Sequence, residues 1–424
     1  MARHFAVCQD TTFWDACDWT TYDGTVITNA TERDASYEAR YTSLFDYEAA
    51  QAKSLSEPEY CEILGPWTTP DTEVSINGFG TSIYVFPTIA TVGVARFPNT
   101  NHYKIQSSVA TVIAVNDSNI LFDGLFIKSL DPAYDCVYES SYQDGNKYIN
   151  CIATGGRRGF NGNAYNLGGY YKNCIAYNNA GSGFKTCGKD YNPVFVSNCV
   201  AYNNGGDGFE RQYLAPNSTF HNCIAIGNAG EDFEEGYSSS RPRFNCISSD
   251  ATAATNGTDC YTGVTAAEVF NDAPNGDFSI PSTSFAFEKG IKITEGPYDT
   301  NPLIGTTPIY DIIGLLRSDP PDIGAYEYDD GYVPGVPLKV SGMVEGSVLA
   351  IYKASDGSEI VAPTTIDATG EYTGETGHSS DFSVAIKVRK SSSGTKYKPW
   401  TGLGTITSTG LNVVVSQVED TVAV

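Results

Sequence analysis

The stretch from Tyr148 to Ser249 repeats itself, and this repeat leaves few folds open to the chain. A tetrapeptide of the form Asn-Cys-Ile/Val-Ala/Ser occurs five times, with its cysteines 23, 25, 24 and 23 residues apart. A phenylalanine recurs in phase with it. The copies are Asn150–Ala153, Asn173–Ala176, Asn198–Ala201, Asn222–Ala225 and Asn245–Ser248, and the phenylalanines are Phe160, Phe184, Phe209 and Phe233. Two motifs that share one period indicate a repeat protein whose unit is one supersecondary element.

The content of each unit predicts short strands. Leucine-rich repeats need a leucine frame that is missing here, and helical repeats need a 3.6-residue periodicity over ten or more residues. These units instead hold short β-prone runs broken by Asn-Asn and Gly-x-Gly. Three strands per coil, with coils stacked about 4.8 Å apart, satisfy this pattern. We therefore predict an all-β protein built on a right-handed parallel β-helix, with inward ladders at the Cys, Ile/Val and Phe positions.

The pattern changes along the chain, which predicts four segments. Residues 1–108 lack the repeat and are interpreted as an N-terminal cap region over the open end of the helix, with a docking region as the alternative. Residues 109–328 form the parallel β-helix with a closing segment. Residues 329–337, rich in Pro and Gly, form a linker. Residues 338–424 show short alternating strands, which predicts a small antiparallel β-sandwich for attachment or oligomerisation.

Charge and cysteine usage exclude several partners. The chain has 26 Lys and Arg against 50 Asp and Glu, a net charge of -24, which disfavours nucleic acid and anionic membrane surfaces. No apolar run approaches the roughly 18 residues of a membrane span, and no apolar signal-peptide core follows Met1. Five of the 11 cysteines share one column of the repeat, so we expect buried free thiols made in a reducing cytoplasm. A zinc site is disfavoured, because the chain has no CxxC pair and four histidines.

Two outward columns carry the charged residues of the coils. One residue after each in-phase phenylalanine stand Asn161, Lys185, Glu210 and Glu234, and two residues before it stand Arg158, Ser182, Asp207 and Glu231. Lys185 should stack beside Glu210, and carboxylates stacked about 5 Å apart should have raised pKa values unless a cation lies among them. A calcium ion would relieve that repulsion, although a solvated acidic face is the alternative, and no other cofactor is expected. The proposed ligands of the calcium ion are Asp207, Glu210, Glu231 and Glu234.

Tyr177 and Tyr202 occupy equivalent positions beside Asn-Asn turns. Outward aromatic pairs can stack on sugar rings, which makes these residues candidates for glycan binding. Aromatic stacking from coil to coil explains them equally well. The asparagine column from Asn150 to Asn245 is most simply a ladder of hydrogen-bonded side chains at a turn.

The coils resemble the right-handed parallel β-helix repeat proteins, which include pectate lyases, and the run Asn203–Phe209 is similar to the coils of the family 9 polysaccharide lyases. In those lyases a lysine acts as general base, and calcium held by aspartates acidifies the sugar carbon. The resemblance implies Lys185, directly after Gly183 and Phe184, as the candidate base, while no paired Asp-Asp occurs in these coils. A surface ion pair is the alternative role for Lys185.

Two further resemblances point to phage particles. Pro321–Tyr328 is similar to the closing segment after such helices in bacterial and phage proteins, and residues 338–424, with Tyr397–Trp400, resemble β-sandwich modules of tailed-phage virions. They imply a virion structural protein, a capsid decoration or head-fibre protein on the virion exterior, assembled in the host cytoplasm. Expected partners are the major capsid protein or other virion proteins, further copies in a homo-oligomer, and a host-surface glycan. The alternatives are a tailspike or polysaccharide lyase acting on acidic glycans, and a non-catalytic glycan-binding adhesin.

Overall fold

A computed structural model of the protein divides into two compact units, Met1–Tyr328 and Asp329–Val424. In the first unit the structure describes residues 3–21, 24–51, 57–79, 87–98, 101–140, 144–162, 167–186, 194–211, 219–234, 242–291, 293, 310–315, 317–318 and 320–328. In the second it describes residues 336–341, 343, 345, 348–353, 359–366, 369, 371–376, 382–390, 397–406 and 411–414.

Three parallel sheets form a β-solenoid of about six turns in the first unit. Sheet 1 has the strand order Ala39–Tyr41, Arg3–Val7, Glu59–Ile63, Pro87–Thr91, Leu121–Asp123, Asp144–Ile149, Leu167–Lys172, Val194–Ser197, Thr219–His221, Arg243–Phe244 and Gly257–Thr258. Sheet 2 consists of Lys104–Ser107, Phe126–Ser129, Ile152–Thr154, Ile175–Tyr177, Val200–Tyr202, Ile224–Ile226 and Ile247–Ser248. Sheet 3 consists of Val74–Ile76, Ile113–Val115, Val137–Glu139, Phe160–Asn161, Phe184–Thr186 and Phe209–Arg211. The predicted all-β fold with a parallel coil is confirmed.

The repeat supplies the core of the solenoid. The rings of Phe160, Phe184, Phe209 and Phe233 stack at centroid distances of 5.0, 4.9 and 5.0 Å, and the five repeat cysteines are fully buried beside them. Burying one such ring stabilises the fold by about 1.5–3 kcal/mol. All ten described cysteines are free thiols.

The Ile/Val column corrects the predicted inward set. Ile152, Ile175, Val200, Ile224 and Ile247 belong to a second apolar cluster on the outer side of sheet 2, whereas the cysteine before each and the residue after it point inward. The reason is the two-residue alternation of a strand, which sends neighbours to opposite faces. A β-branched column can be outward and still buried when another segment covers it.

That cover is the closing segment, which we define as residues 264–291 and 310–328. Val269, Phe270 and Phe278 pack in the same cluster as the outer column, as do Ile323 and Tyr326. The buried Arg317 side chain fastens it to a coil corner, because its Nη2 donates to Asn173 Oδ1 at 3.2 Å. The same nitrogen donates to Gly324 O, within the closing segment, at 2.7 Å. Arg317 also pairs with the buried Glu327 at 3.2 Å. The segment contains the helix Ala266–Val269 and the 3₁₀ turn Ala273–Asn275.

The five repeat asparagines turn the chain between sheets 1 and 2. Each has φ between 50° and 53°, a left-handed conformation that Asn adopts more readily than other L-residues with a side chain. The expected side-chain ladder is present between Asn173 Nδ2 and Asn150 Oδ1, at 3.0 Å. Asn222 and Asn245 instead donate to carbonyls of the closing segment, Ile291 O and Lys289 O.

A second set, the inner asparagine ladder, was not predicted. It consists of Asn179, Asn204 and Asn228, one per coil, and ends on Asp232. Each carboxamide donates to the next acceptor at 2.8–2.9 Å, and Ser249 N and Oγ close the series on Asp232 Oδ2. Burial raises the pKa of Asp232 while the hydrogen bonds from Ser249 and Asn228 oppose it.

The parallel sheets reach into the segment 1–108 that the sequence assigned to a cap. Strands of all three sheets lie there, beginning with Arg3–Val7 in sheet 1. These coils lack the Asn-Cys motif, so the period did not include them. The same segment holds three helices, one 3₁₀ turn and one antiparallel strand pair. These are the helices Thr11–Ala16, Ala30–Ser36 and Leu44–Gln51, the turn Gly93–Ala95, and the strands Trp19–Thr20 and Val26–Ile27. Outside this segment, the 3₁₀ turn Thr252–Ala254 follows the last repeat. Of the helices in the described part of the chain, none has the length and apolar character to cross a membrane.

The second unit contains two small sheets. A four-stranded antiparallel sheet has the order Glu359–Thr365, Val348–Lys353, Phe382–Lys390 and Tyr397–Ile406. A three-stranded sheet has the order Tyr372–Thr376, Val336–Ser341 and Leu411–Val414. Its central strand pairs antiparallel with the first and parallel with the last, so one parallel pair lies in a predominantly antiparallel unit.

Candidate functional site

The charged face of the solenoid lies along the outer side of sheet 3. We use this name for Arg158, Lys185, Asp207, Glu210, Glu231 and Glu234. The inward phenylalanines fix the spacing of Lys185, Glu210 and Glu234, because the residue after each ring must point outward. Lys185 stands in register with Asn161 on one side and Glu210 on the other. Glu234 follows Phe233, which pairs with Phe209, so it continues the column.

An ion pair crosses this face between coils that are not neighbours. Arg158 Nε donates to Glu210 Oε2 at 3.1 Å, and the two side chains are 25% and 20% exposed. Arg158 thus reaches past the coil of Lys185 and binds the carboxylate that the sequence placed beside that lysine. Lys185 itself is half-buried and takes part in none of the ion pairs formed within the described ranges.

Among the four predicted calcium ligands, Asp207 already accepts a backbone hydrogen bond and Glu210 already binds Arg158. Asp207 Oδ1 accepts the backbone N–H of Glu231 at 2.8 Å. Burial raises the pKa of Asp207, that hydrogen bond lowers it, and the nearby Glu210 and Glu231 carboxylates raise it further. Across the described ranges, no three His, Cys, Asp or Glu side chains converge as ligands for a metal. The calcium ion stays a prediction from the sequence, which titration calorimetry with calcium tests.

Tyr177 and Tyr202 lie in register on the outer side of sheet 2 and are half-buried. The Phe278 ring of the closing segment packs edge-on against both, at centroid distances of 5.1 and 5.6 Å. Phe270 meets Tyr202 at 6.5 Å. The two tyrosines therefore form part of the floor on which the closing segment packs, a role that the sequence did not indicate. Glycan contact by these rings stays a prediction.

Sequence reasoning missed a buried carboxylate at the end of the charged face. Asp135 is 1% exposed and pairs with Arg157, whose Nη2 lies 2.6 Å from Asp135 Oδ2. It escaped notice because Val137 occupies the inward position that phenylalanine holds in later coils, and the alignment started from phenylalanine. The 23-residue interval between Val137 and Phe160 was the available signal.

Comparisons with known proteins give little for this chain. No protein-family model matches it, and no curated protein matches its sequence. Among solved structures it is similar to the crystal structure of pectate lyase Pel9A, with 13% sequence identity and a TM-score of 0.45, over 77% of this chain and 96% of that one. A likeness this distant carries no argument about activity, and the fold assignment rests on the strand pairing itself.

Proposed function

We propose that the protein is a structural component of a tailed-phage virion, a capsid decoration or head-fibre protein on the particle exterior. The observation that carries the proposal is the division of the chain into two compact units after Tyr328. One is a solenoid with continuous ladders of buried side chains, and the other is a small, mainly antiparallel β unit. A repeat solenoid that carries a second, separately compact unit suits display by one part and attachment by the other.

Charge and thiol chemistry support the same proposal. A net charge of -24 keeps displayed copies soluble and apart. The free cysteines are compatible with assembly in a host cytoplasm, where thiols stay reduced. The proposed partners are the major capsid protein or other virion proteins, together with further copies of this chain in a homo-oligomer. The second unit is the proposed attachment or oligomerisation module.

Particle binding tests this proposal. The full chain, mixed with particles of the phage that encodes it, should sediment with them at a fixed copy ratio that withstands washing. Val348→Glu, on an exposed apolar residue of the second unit, should reduce that ratio. Val26→Glu is the matched control, because Val26 is an exposed valine of the first unit. Absence of the protein from washed particles would refute the virion role, and equal loss with both variants would refute attachment through the second unit.

A second candidate function is binding or cleavage of acidic glycans at the charged face, as an adhesin, a tailspike or a polysaccharide lyase. The observation that favours it is a half-buried lysine on a solenoid face, next to an arginine that holds a carboxylate. Cleavage by elimination would raise ultraviolet absorbance on polygalacturonate, and Lys185→Ala should abolish the rise. Retention on a glycan array without product would instead support an adhesin. Neither signal with the wild-type chain would exclude this candidate for the glycans tried.

A further inference from the structure

Three consecutive coils place a carboxylate, a carboxamide and an amine side by side at one end of the charged face: the first two are hydrogen-bonded, and the amine stands in register on the next coil. Asn161 lies in register with Lys185 on the next coil, and both residues follow an inward phenylalanine, so both side chains leave the same side of sheet 3. Asp135 comes from the coil on the other side of Asn161. Parallel strands lie about 4.8 Å apart, and the four-methylene stem of lysine is long enough to bring Nζ to the side-chain carbon of its neighbour.

The Asn161 carboxamide is held in place. The residue is 4% exposed, and its Nδ2 donates to Asp135 Oδ2 at 2.8 Å. Asp135 is in turn fixed by Arg157, which donates Nε to Oδ1 at 3.0 Å and Nη2 to Oδ2 at 2.6 Å. A buried carboxylate with a bidentate arginine is a rigid arrangement, so the carboxamide plane is fixed by it.

Lys185 has no competing ion pair in the described part of the chain. The acidic residue that stands in register with it, Glu210, is bound by Arg158 at 3.1 Å. On the coil opposite Glu210, the polar residue in register with Lys185 is Asn161.

We propose that Lys185 and Asn161 condense into an isopeptide bond that joins two neighbouring coils. The amine of Lys185, once deprotonated, attacks Asn161 Cγ and forms the new C–N bond. The bond from Cγ to Nδ2 then breaks, and Nδ2 leaves as ammonia. Lysine ammonium plus carboxamide thus become a secondary amide plus ammonium ion, with no oxidant or reductant required.

Asp135 lies where this step needs a proton carrier. Its Oδ2 touches Nδ2, the nitrogen that must be protonated before it leaves. It can take the proton shed by the attacking amine and deliver it to that nitrogen. Asp135 is therefore assigned as the catalytic residue of the condensation.

The neighbouring glycine argues against the competing reaction of Asn161. An Asn-Gly pair can close to a succinimide through the glycine nitrogen, with the same loss of ammonia. Here the N–H of Gly162 donates to Lys185 O at 3.0 Å within the strand ladder, so that nitrogen is engaged. Both products have lost one ammonia, but only the isopeptide bond joins two tryptic peptides. The presence or absence of that cross-linked peptide therefore decides the test.

The test is mass spectrometry of the full chain after incubation at about pH 9, where more of the lysine is deprotonated. The intact mass should fall below the sequence mass by one ammonia, about 17 Da. Trypsin should then release residues 159–172 joined to residues 173–189, because a condensed Lys185 is no longer cleaved. Lys185→Arg, which keeps the charge at a half-buried site, should retain the full mass of its own sequence.

Lys128 and Gln106 provide the matched control. They are also a lysine and a carboxamide in register on adjacent strands, but no carboxylate of the described residues binds the Gln106 amide. Their peptides should remain separate in wild type. Asp135→Asn should abolish the cross-link while the variant retains the circular dichroism of the wild type. An unchanged wild-type mass, or a mass loss that persists in Lys185→Arg, would overturn the proposal. A cross-linked Lys185 would also exclude that residue as the base of a lyase.

Discussion

Asn204 lies in the middle of the inner asparagine ladder and uses all four hydrogen-bonding positions of its carboxamide. Its Nδ2 donates to Ala176 O at 3.1 Å and to Asn228 Oδ1 at 2.9 Å. Its Oδ1 accepts from Asn179 N at 3.2 Å and from Asn179 Nδ2 at 2.9 Å. The side chain is 2% exposed, so water cannot replace a lost partner.

Asn204→Asp keeps the shape of the side chain but replaces its hydrogen-bond donor, the Nδ2 group, with an acceptor oxygen. The new oxygen faces two acceptors, Ala176 O and Asn228 Oδ1, and both hydrogen bonds from Asn204 Nδ2 are lost. Asn228 Oδ1 keeps the backbone N–H of Asn204 as a donor at 3.1 Å, whereas a buried acceptor that loses its donor costs about 1–3 kcal/mol. An ionised carboxylate at the same place adds a desolvation cost. We expect the unfolding free energy of the first unit to fall by about 3–5 kcal/mol at neutral pH.

The loss should depend on pH, with a sign fixed by the same contacts. Burial and two facing acceptors disfavour the ionised form, so the pKa of the new carboxyl in the folded state should lie above its unfolded value. The protonated group recovers one donor. The variant should therefore be least destabilised in acid, and the loss should grow as pH rises through the folded pKa.

Urea titration followed by tryptophan fluorescence measures the effect. Asn178→Asp is the control, because Asn178 is exposed and its Oδ1 only accepts, from Asn203 Nδ2 at 2.8 Å. That substitution keeps the acceptor and should change stability by less than about 0.5 kcal/mol. If the two variants unfold at the same urea concentration, the hydrogen bonds of Asn204 in the inner asparagine ladder do not stabilise the first unit to the expected extent.

Phe184→Ala should destabilise the first unit by about 3–5 kcal/mol, because the fully buried ring stacks on rings in both neighbouring coils. Phe45→Ala, on a ring that is 54% exposed, should cost less than about 0.5 kcal/mol in the same urea titration. Burial, followed by the neighbouring Glu327 carboxylate, raises the pKa of Asp322 to about 6. A carboxyl whose pKa rises on folding destabilises the folded state once it ionises, so the melting temperature should fall as the pH rises from about 4 to about 6. The fall should be less steep in Asp322→Asn, and equal slopes in the two proteins would contradict this. Arg317→Met leaves the Glu327 carboxylate buried without its partner, at a cost of about 3–5 kcal/mol. Limited proteolysis of this variant should cut the closing segment first, and unchanged cleavage would contradict the role of Arg317 in fastening that segment.

Much of the candidate site could be predicted from the sequence. Because Phe184 and Phe209 sit in one inward column, counting one residue further places Lys185 beside Glu210, and the structure has them in register. The same counting missed Asp135, since Val137 replaces the phenylalanine from which the columns were counted. It also gave Ile175 and its equivalents the wrong side of the sheet. Alternation along a strand was the rule that would have corrected this.

What the sequence determined by itself is what the period of the repeat determines: a parallel coil, its buried thiols and aromatic rings, and the neighbours of each residue in its column. These depend on contacts between adjacent coils, which repeat every 23 to 25 residues. Only the tertiary structure decided that Arg158 passes one coil to reach Glu210, and that Arg317 reaches Asn173 across 144 residues of chain. Such contacts depend on side-chain reach and on the path of a segment that folds back over the solenoid. No local period records either.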